Sequence, residues 1–323
     1  MPISGHSSYP AVVAQFLAHW EQVDDEIGGM YGIGLRGGVM REDFDGMSDD
    51  LEAARDAVTD SGVDRALARA ELGGMIEVLQ GRLVEFNRRV RADFAGSAYE
   101  RSLSVAFTIG DAESAVREAL RYMARLWERI DALPARPGVT LPLVLLENYK
   151  RTEFNSDRDA LRRGYRTLSE AEVDLKVARE ERNDLQDEIY EVLKAYRLKV
   201  PTLFAEGHAL LDSLPVLTPG PGHTPAPVTA QGVWQSGTQQ AKITWAASAE
   251  PGVESYQVRG VPGDDYQTDD EEVLATLAPG APREFLTDFA LGAPGVSAGF
   301  KVYVVLAGGN ERGSDAVYVT RPE

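Results

Sequence analysis

Gly32-Ile33-Gly34-Leu35-Arg36-Gly37 carries the letter pattern G-x-G-x-x-G, whose glycines let a backbone approach a pyrophosphate at the start of a helix. That chemistry requires a strand before the loop. Here an amphipathic helix precedes it, so the stretch reads as an inter-helix loop and implies no cofactor. His6, His19, His208 and His223 are far apart and show neither H-E-x-x-H nor E-x-x-H spacing, so no zinc or di-iron ligand set forms. His19, beside Trp20, reads as a packed or surface side chain. No histidine stands in a context that would activate a serine nucleophile.

Between Asp264 and Glu272 six carboxylates fall in nine residues. Asp264, Asp265, Asp269 and Asp270 make a weak calcium candidate, since calcium accepts several oxygens in flexible geometry, but the glycine and ligand spacing of an EF-hand loop is missing. The alternatives are a basic protein partner and a solvated loop. The run Arg179-Glu180-Glu181-Arg182-Asn183-Asp184 reads either as a solvated turn of a long helix or as a polar contact with another chain through Glu181 and Asp184.

The elements that position these residues follow from periodicity. Val12, Val13, Phe16, Leu17, Trp20, Val23 and Ile27 recur at three-and-four spacing, which predicts a first helix opened by Pro10 and closed at Gly28-Gly29. Val116, Leu120, Met123, Trp127 and Ile130 predict a second, from near Asp111 to Pro134. Laying residue n on n+110 pairs Phe44 with Phe154, Leu51 with Leu161, Leu83 with Leu193, Phe86 with Tyr196 and Val90 with Val200. Trp20 and Asp24 match Trp127 and Asp131 at an offset of 107. Two copies of one helical unit are expected, 1–107 and 108–214, packed as one bundle about a pseudo-two-fold axis with Leu79, Leu83 and Phe86 facing Ile189, Leu193 and Tyr196. Each long helical stretch is either continuous or broken, with candidate breaks near Asp60-Ser61-Gly62 and near the helix-start box Ser169-x-x-Glu172.

Residues 215–227 hold Pro215, Pro219, Pro221, Pro225 and Pro227 and no charged side chain, the composition of a semi-rigid extended linker. From Val228 the periodicity becomes two: Ile243-Thr244-Trp245, Tyr256-Gln257-Val258 and Phe300-Lys301-Val302-Tyr303-Val304 alternate between turn-rich segments. With Pro227-Val228-Thr229 at its start, Asn310-x-x-Gly313-Ser314 and a final Val317-Tyr318-Val319-Thr320, segment 228–323 resembles a fibronectin type III domain. The resemblance implies an antiparallel β-sandwich and departs from the family at Phe300, which stands where a tyrosine usually bonds back to the chain. Arg259-Gly260 is followed by Val261, so no integrin-type site is implied. If Phe300, Val302, Val304 and Leu306 point inward, Tyr303 and Val305 point outward. They are then either an assembly contact or are covered by the linker or the helical body.

The chain has no cysteine and a formal charge of −18; residues 228–323 contribute −7 of it, with 6 Lys/Arg against 13 Asp/Glu. Such charge disfavours nucleic acid and anionic membrane as partners. The absence of a leader-like segment or a long apolar run points to the cytoplasm, non-classical export aside. The expected fold is therefore multidomain, α then β: a duplicated helical bundle, a linker and a fibronectin-like sandwich. The expected function is non-enzymatic and structural, self-associating through the helical body with the sandwich as spacer or contact module. The alternatives are a virion, injection-machine or envelope component, or an accessory to carbohydrate-active enzymes.

Overall fold

The computed structural model describes residue 3 and residues 5–28, 32–103, 107–108, 110–134, 138–218 and 222–322. Gly29, Pro219 and Pro221 of the expected boundaries lie outside them, as does the side chain of Asp269. Helix α1 spans Tyr9–Ile27 and buries Val12, Val13, Phe16, His19, Trp20 and Val23. Pro10 sits in its first turn, where a missing N–H leaves no bond unmade. Gly28 closes it in the left-handed conformation, its N–H donating to the Asp24 carbonyl. Helix α4, Glu113–Asp131, has the same length and buries Val116, Leu120, Met123, Leu126, Trp127 and Ile130.

The long helices α2, Arg41–Asp93, and α5, Arg151–Lys199, run without interruption. The short helices α3, Ala98–Arg101, and α6, Ala209–Asp212, complete the helical part. Of the two alternatives, continuous helices are the one observed. Ser169-x-x-Glu172 caps nothing, because the residues before Ser169 are already helical and supply its backbone partners. Gly62 stays in α2 at a cost of about 1 kcal/mol relative to alanine, and its reason is proximity: a Cβ there would stand 3.3 Å from the ring of Pro262.

Packing divides the chain into two compact units, residues 67–172 and residues 1–66 with 173–323. In the first unit α4 packs with Leu143, Leu145, Phe154 and Leu161 and with the Leu72-to-Phe94 face of α2. Trp127 lies 5.3 Å from Phe86 and 5.7 Å from Phe154, ring centre to ring centre, and donates its indole N–H to the Leu143 carbonyl. In the second unit α1 packs with Ile33, Leu35, Phe44 and Leu51 and with Ile189, Leu193, Tyr196 and Val200 of α5. Trp20 is 4.7 Å from Tyr196 and 5.9 Å from Phe44. Leu79, Leu83 and Phe86 therefore belong to a different core from Ile189, Leu193 and Tyr196, contrary to the expected facing. Each set has a tryptophan-bearing short helix as its neighbour, which offers larger rings to bury than the other long helix would.

The loops after the two short helices share their bonds. Ile33 N–H donates to Asp24 and Leu143 N–H to Asp131, at 2.7 and 2.8 Å. Leu35 N–H reaches the Val39 carbonyl as Leu145 N–H reaches that of Tyr149. Arg41 and Arg151 lie within 3.7 and 3.2 Å of the same two aspartates. Trp127→Ala should lower stability by about 3–5 kcal/mol through the cavity it leaves. Urea unfolding is the check, and a loss below about 1 kcal/mol would mean that the unit repacks around the gap.

The C-terminal part is an antiparallel sandwich. One sheet has the order β1 (Ala230–Gln235), β2 (Gln240–Trp245), β5 (Glu284–Thr287). The other runs β4 (Glu272–Leu277), β3 (Val253–Pro262), β6 (Ser297–Leu306), β7 (Glu311–Gly313), with β8 (Val317–Thr320) also on β6. Ala241, Ile243 and Trp245 of one sheet meet Val258, Phe300, Val302, Val304 and Leu306 of the other in a single core. The alternation expected along β6 is the one observed. Phe300 is fully buried, and it is Tyr256 whose hydroxyl accepts a backbone N–H, that of Ser248 at 2.8 Å.

The expected linker does not project the sandwich. Leu217 is buried in the α1 core and its carbonyl accepts the N–H of Ile3, while His223 and Ala226 bond to Glu250 of the sandwich. Helix segments and sandwich pack in one unit, with Pro262 against Gly62 and Gly263 beside Arg65.

Candidate functional site

The acidic segment 264–272 and the basic positions of α5 are brought together. Asp270 ends a short 3-10 turn, Thr268–Asp270, before β4. Its carboxylate accepts from Nε of Arg179 at 2.6 Å and from Nη2 of the same guanidinium, and Arg182 lies 4.0 Å away. On a helix of 3.6 residues per turn, Leu175, Arg179, Arg182 and Gln186 share one face, and Leu175, Arg182 and Gln186 are buried there. Glu181 and Asp184 fall on the opposite face and are exposed. The basic partner weighed for the acidic run is thus, for Asp270, α5 of the same chain.

Glu271, the next residue, turns the other way into a polar layer on the outer face of the β3–β6 sheet. There Arg259, 2% exposed, is paired in register with Lys301 and flanked by Gln257, whose neighbour across the ladder is Tyr303. Arg259 donates to Glu271 at 2.6 Å, to both oxygens of Glu311 at 2.9 and 2.6 Å, and to Gln257. The second oxygen of Glu271 accepts the hydroxyls of Tyr266 and Tyr303, each at 2.8 Å. The guanidinium also lies 3.9 Å over the Tyr303 ring. Burial alone would lower the Arg259 pKa, but bonds to Glu311 and the two carboxylate charges outweigh it and hold the group above its usual value. Burial, reinforced by the Glu271 charge, raises both tyrosines. Arg259 therefore stays charged and the two tyrosines neutral, and the layer acts as a rigid, hydrogen-bonded polar network.

Tyr303 and Val305 are 8% and 1% exposed, so their face is covered within the chain. Of the two readings weighed for them, burial supports coverage within the chain over an assembly contact: alternation sets which way a side chain points and leaves open what else packs there. In the calcium candidate, Asp264 and Asp265 are exposed, Asp265 accepts from Gln267, and Asp270 is committed to Arg179. Among the described residues no group of three or more histidine, aspartate or glutamate side chains is arranged to hold a metal ion.

The segment 32–37 is a loop entered from α1, with Ile33 and Leu35 buried in its core. His19 is buried; one ring nitrogen faces the Leu210 carbonyl at 2.9 Å and the other the Tyr196 hydroxyl at 2.7 Å. The carbonyl can only accept, so Nε2 donates to it, and the Nδ1 contact with the tyrosine hydroxyl completes a packing role. Gly295-Val296-Ser297-Ala298-Gly299 fits the letter pattern of a nucleophile elbow, but Ser297 opens β6 and its hydroxyl bonds to that of Thr320 at 2.6 Å.

Sequence reasoning missed Arg259 and Glu311. The available signal was a lone arginine one residue after Val258 and two before Val261 in β3, a position that demands buried carboxylate partners.

Fold and site together define a two-part protein, a long helical region followed by an antiparallel β-sandwich locked to helix α5 by buried charge. Among solved structures the chain is similar to a Fn3-like protein from Clostridium thermocellum, 22% identical over 31% of this chain and 97% of that one, with a TM-score of 0.25. It is similar to the fn3 domain of human contactin 1, 18% identical over 32% of this chain and 80% of that one, TM-score 0.25. A third is pectate lyase PelI from Erwinia chrysanthemi, 24% identical over 29% of this chain, TM-score 0.24, of whose length the chain spans 28%. No protein-family model and no curated protein sequence matches the chain.

Proposed function

We propose that this chain is a non-enzymatic, cytoplasmic structural protein whose helical part arose by internal duplication and which self-associates through the exposed face of α5. One observation carries the reading. Val173 and Val177 are 57% and 45% exposed, and with Glu181 and Asp184 they occupy a sector of about 80° on α5, opposite the face that docks the sandwich. Two neighbouring β-branched aliphatic side chains left in water one turn apart suit a surface that a second copy covers. The rigid charged junction suits the same role, since it presents sandwich and helices to a partner as one surface. The shared loop bonds at Asp24 and Asp131, and the 107- and 110-residue offsets, support duplication.

Copies with a net charge of −18 repel one another, so association through apolar contact strengthens as salt screens them. Light scattering at two protein and two salt concentrations should find two or more chains per particle, held together better at high salt. Val173→Asp with Val177→Asp should weaken that association at least tenfold, about 1.4 kcal/mol. A wild-type monomer under every condition would end the self-association reading and leave a platform for an unlike partner. Among the described residues no helix is long and apolar enough to cross a membrane.

A further inference from the structure

The unit formed by residues 67–172 carries a groove of about 480 Å³ between α4 and the first turns of α5. Its lining includes Arg117 and Arg121, one turn apart on α4, and Arg158 and Arg162, one turn apart on α5, with Leu120 and Leu161 among the lining residues. Four guanidinium groups face two carboxylates, Glu113 and Glu118, on a chain whose overall charge is −18.

The ion pairs made by these arginines are exposed to solvent. Arg117 bonds to Glu113 at 2.8 Å, with both side chains about half exposed. Arg121 to Glu118 and Arg162 to Asp159 are 3.7 and 4.0 Å apart and more exposed still. Arg158 is half-buried, and among the described residues it bonds only to the neutral amide of Asn155, at 3.2 Å, and meets no carboxylate within ion-pair distance. Burial lowers its pKa against the opposing charge of Asp159, and nearby Arg162 adds to the lowering. The Tyr165 hydroxyl, which feels the charges of Glu113 and Arg117, is buried and has no hydrogen-bond partner among the described residues.

The fold does not require these cations. At the offsets that align the two helical halves, Arg117, Arg121, Arg158 and Arg162 correspond to Pro10, Ala14, Ser48 and Glu52, and the first half builds its tryptophan core without them. Guanidinium groups match the oxygens of phosphate and carboxylate in fork geometry, and several on adjacent turns match an ion that carries more than one such group.

We propose that the α4–α5 groove is a binding site for a small multivalent oxyanion bearing phosphate or carboxylate groups, held by Arg117, Arg121, Arg158 and Arg162. The ligand replaces the exposed internal pairs and gives Arg158 the direct ion pair that it does not make within the chain. The site is independent of the exposed face of α5 and of self-association.

Calorimetric titration of the full chain at low salt, with pyrophosphate in one arm and tricarballylate in the other, tests the proposal. One saturable site per chain is expected, weakening as salt rises. Arg158→Gln should weaken it about tenfold, as expected for loss of a charge-assisted contact. Glu118→Gln should tighten it by removing a competing carboxylate, an opposite change that no folding defect would mimic. Far-UV circular dichroism and the unliganded melting point verify that the variants fold. Saturation by pyrophosphate alone marks the natural ligand as a phosphate, by tricarballylate alone as a carboxylate, and by both as a site for either group. No saturation by either at millimolar concentration overturns the proposal, and so does binding that Arg158→Gln and the fourfold arginine-to-glutamine variant leave unchanged.

Discussion

Replacing Arg259 with methionine will destabilise the chain by about 3–5 kcal/mol, the cost of leaving buried carboxylates without their counter-ion. The side chains of Arg259 and Glu271 are each 2% exposed and that of Glu311 11%, so water cannot replace the guanidinium. Four of its nitrogen–oxygen contacts with Glu271, Glu311 and Gln257 are 2.9 Å or shorter. Adding Glu271→Gln to the methionine variant should recover part of the loss, since one of the two stranded charges is removed. Urea unfolding followed by tryptophan fluorescence gives both numbers. A loss near zero for the single variant would mean that the layer opens to water, and the description of a closed polar network would fail.

The second large effect falls at the junction. Asp270→Ala removes the carboxylate that takes both arms of Arg179 and lies 4.0 Å from Arg182, whose side chain is 4% exposed. A cost of about 3 kcal/mol is expected. Arg179→Ala should cost less, because that guanidinium is 28% exposed and solvent screens the pair. If the junction holds the sandwich on α5, Asp270→Ala will also speed proteolytic cutting in 215–227, read as release of a fragment of sandwich size. Equal cutting of variant and wild type would show that the contacts around Gly62 and Pro262 suffice without the ion pair.

Much of the helical part was legible because local rules governed it. Pro10 and Gly28 bounded α1 by their backbone preferences, and Trp20 and Trp127 sat on apolar stripes that only an amphipathic helix explains. The misjudged elements are those where a distant segment changed the meaning of a residue. Gly62 looked like a break and is the place where Pro262 approaches the α2 backbone. Alternation left open what covers Tyr303 and Val305, and both are buried within the chain. Asp270 looked like a calcium ligand and is the partner of Arg179.

By itself, then, the amino-acid order determined the helices, the strands, the inward face of β6 and the change of class near residue 215. Each depends on side-chain periodicity and backbone preference within a few residues. Only the tertiary structure decided which core each apolar stripe entered, that the sandwich meets α2 and α5 at Pro262, Gly263 and Asp270, and that arginines 117, 121, 158 and 162 share one groove. Those outcomes depend on pairing between residues as far apart in the chain as Trp20 and Tyr196 or Gly62 and Pro262, and periodicity within one element carries no information about what the opposite element will offer.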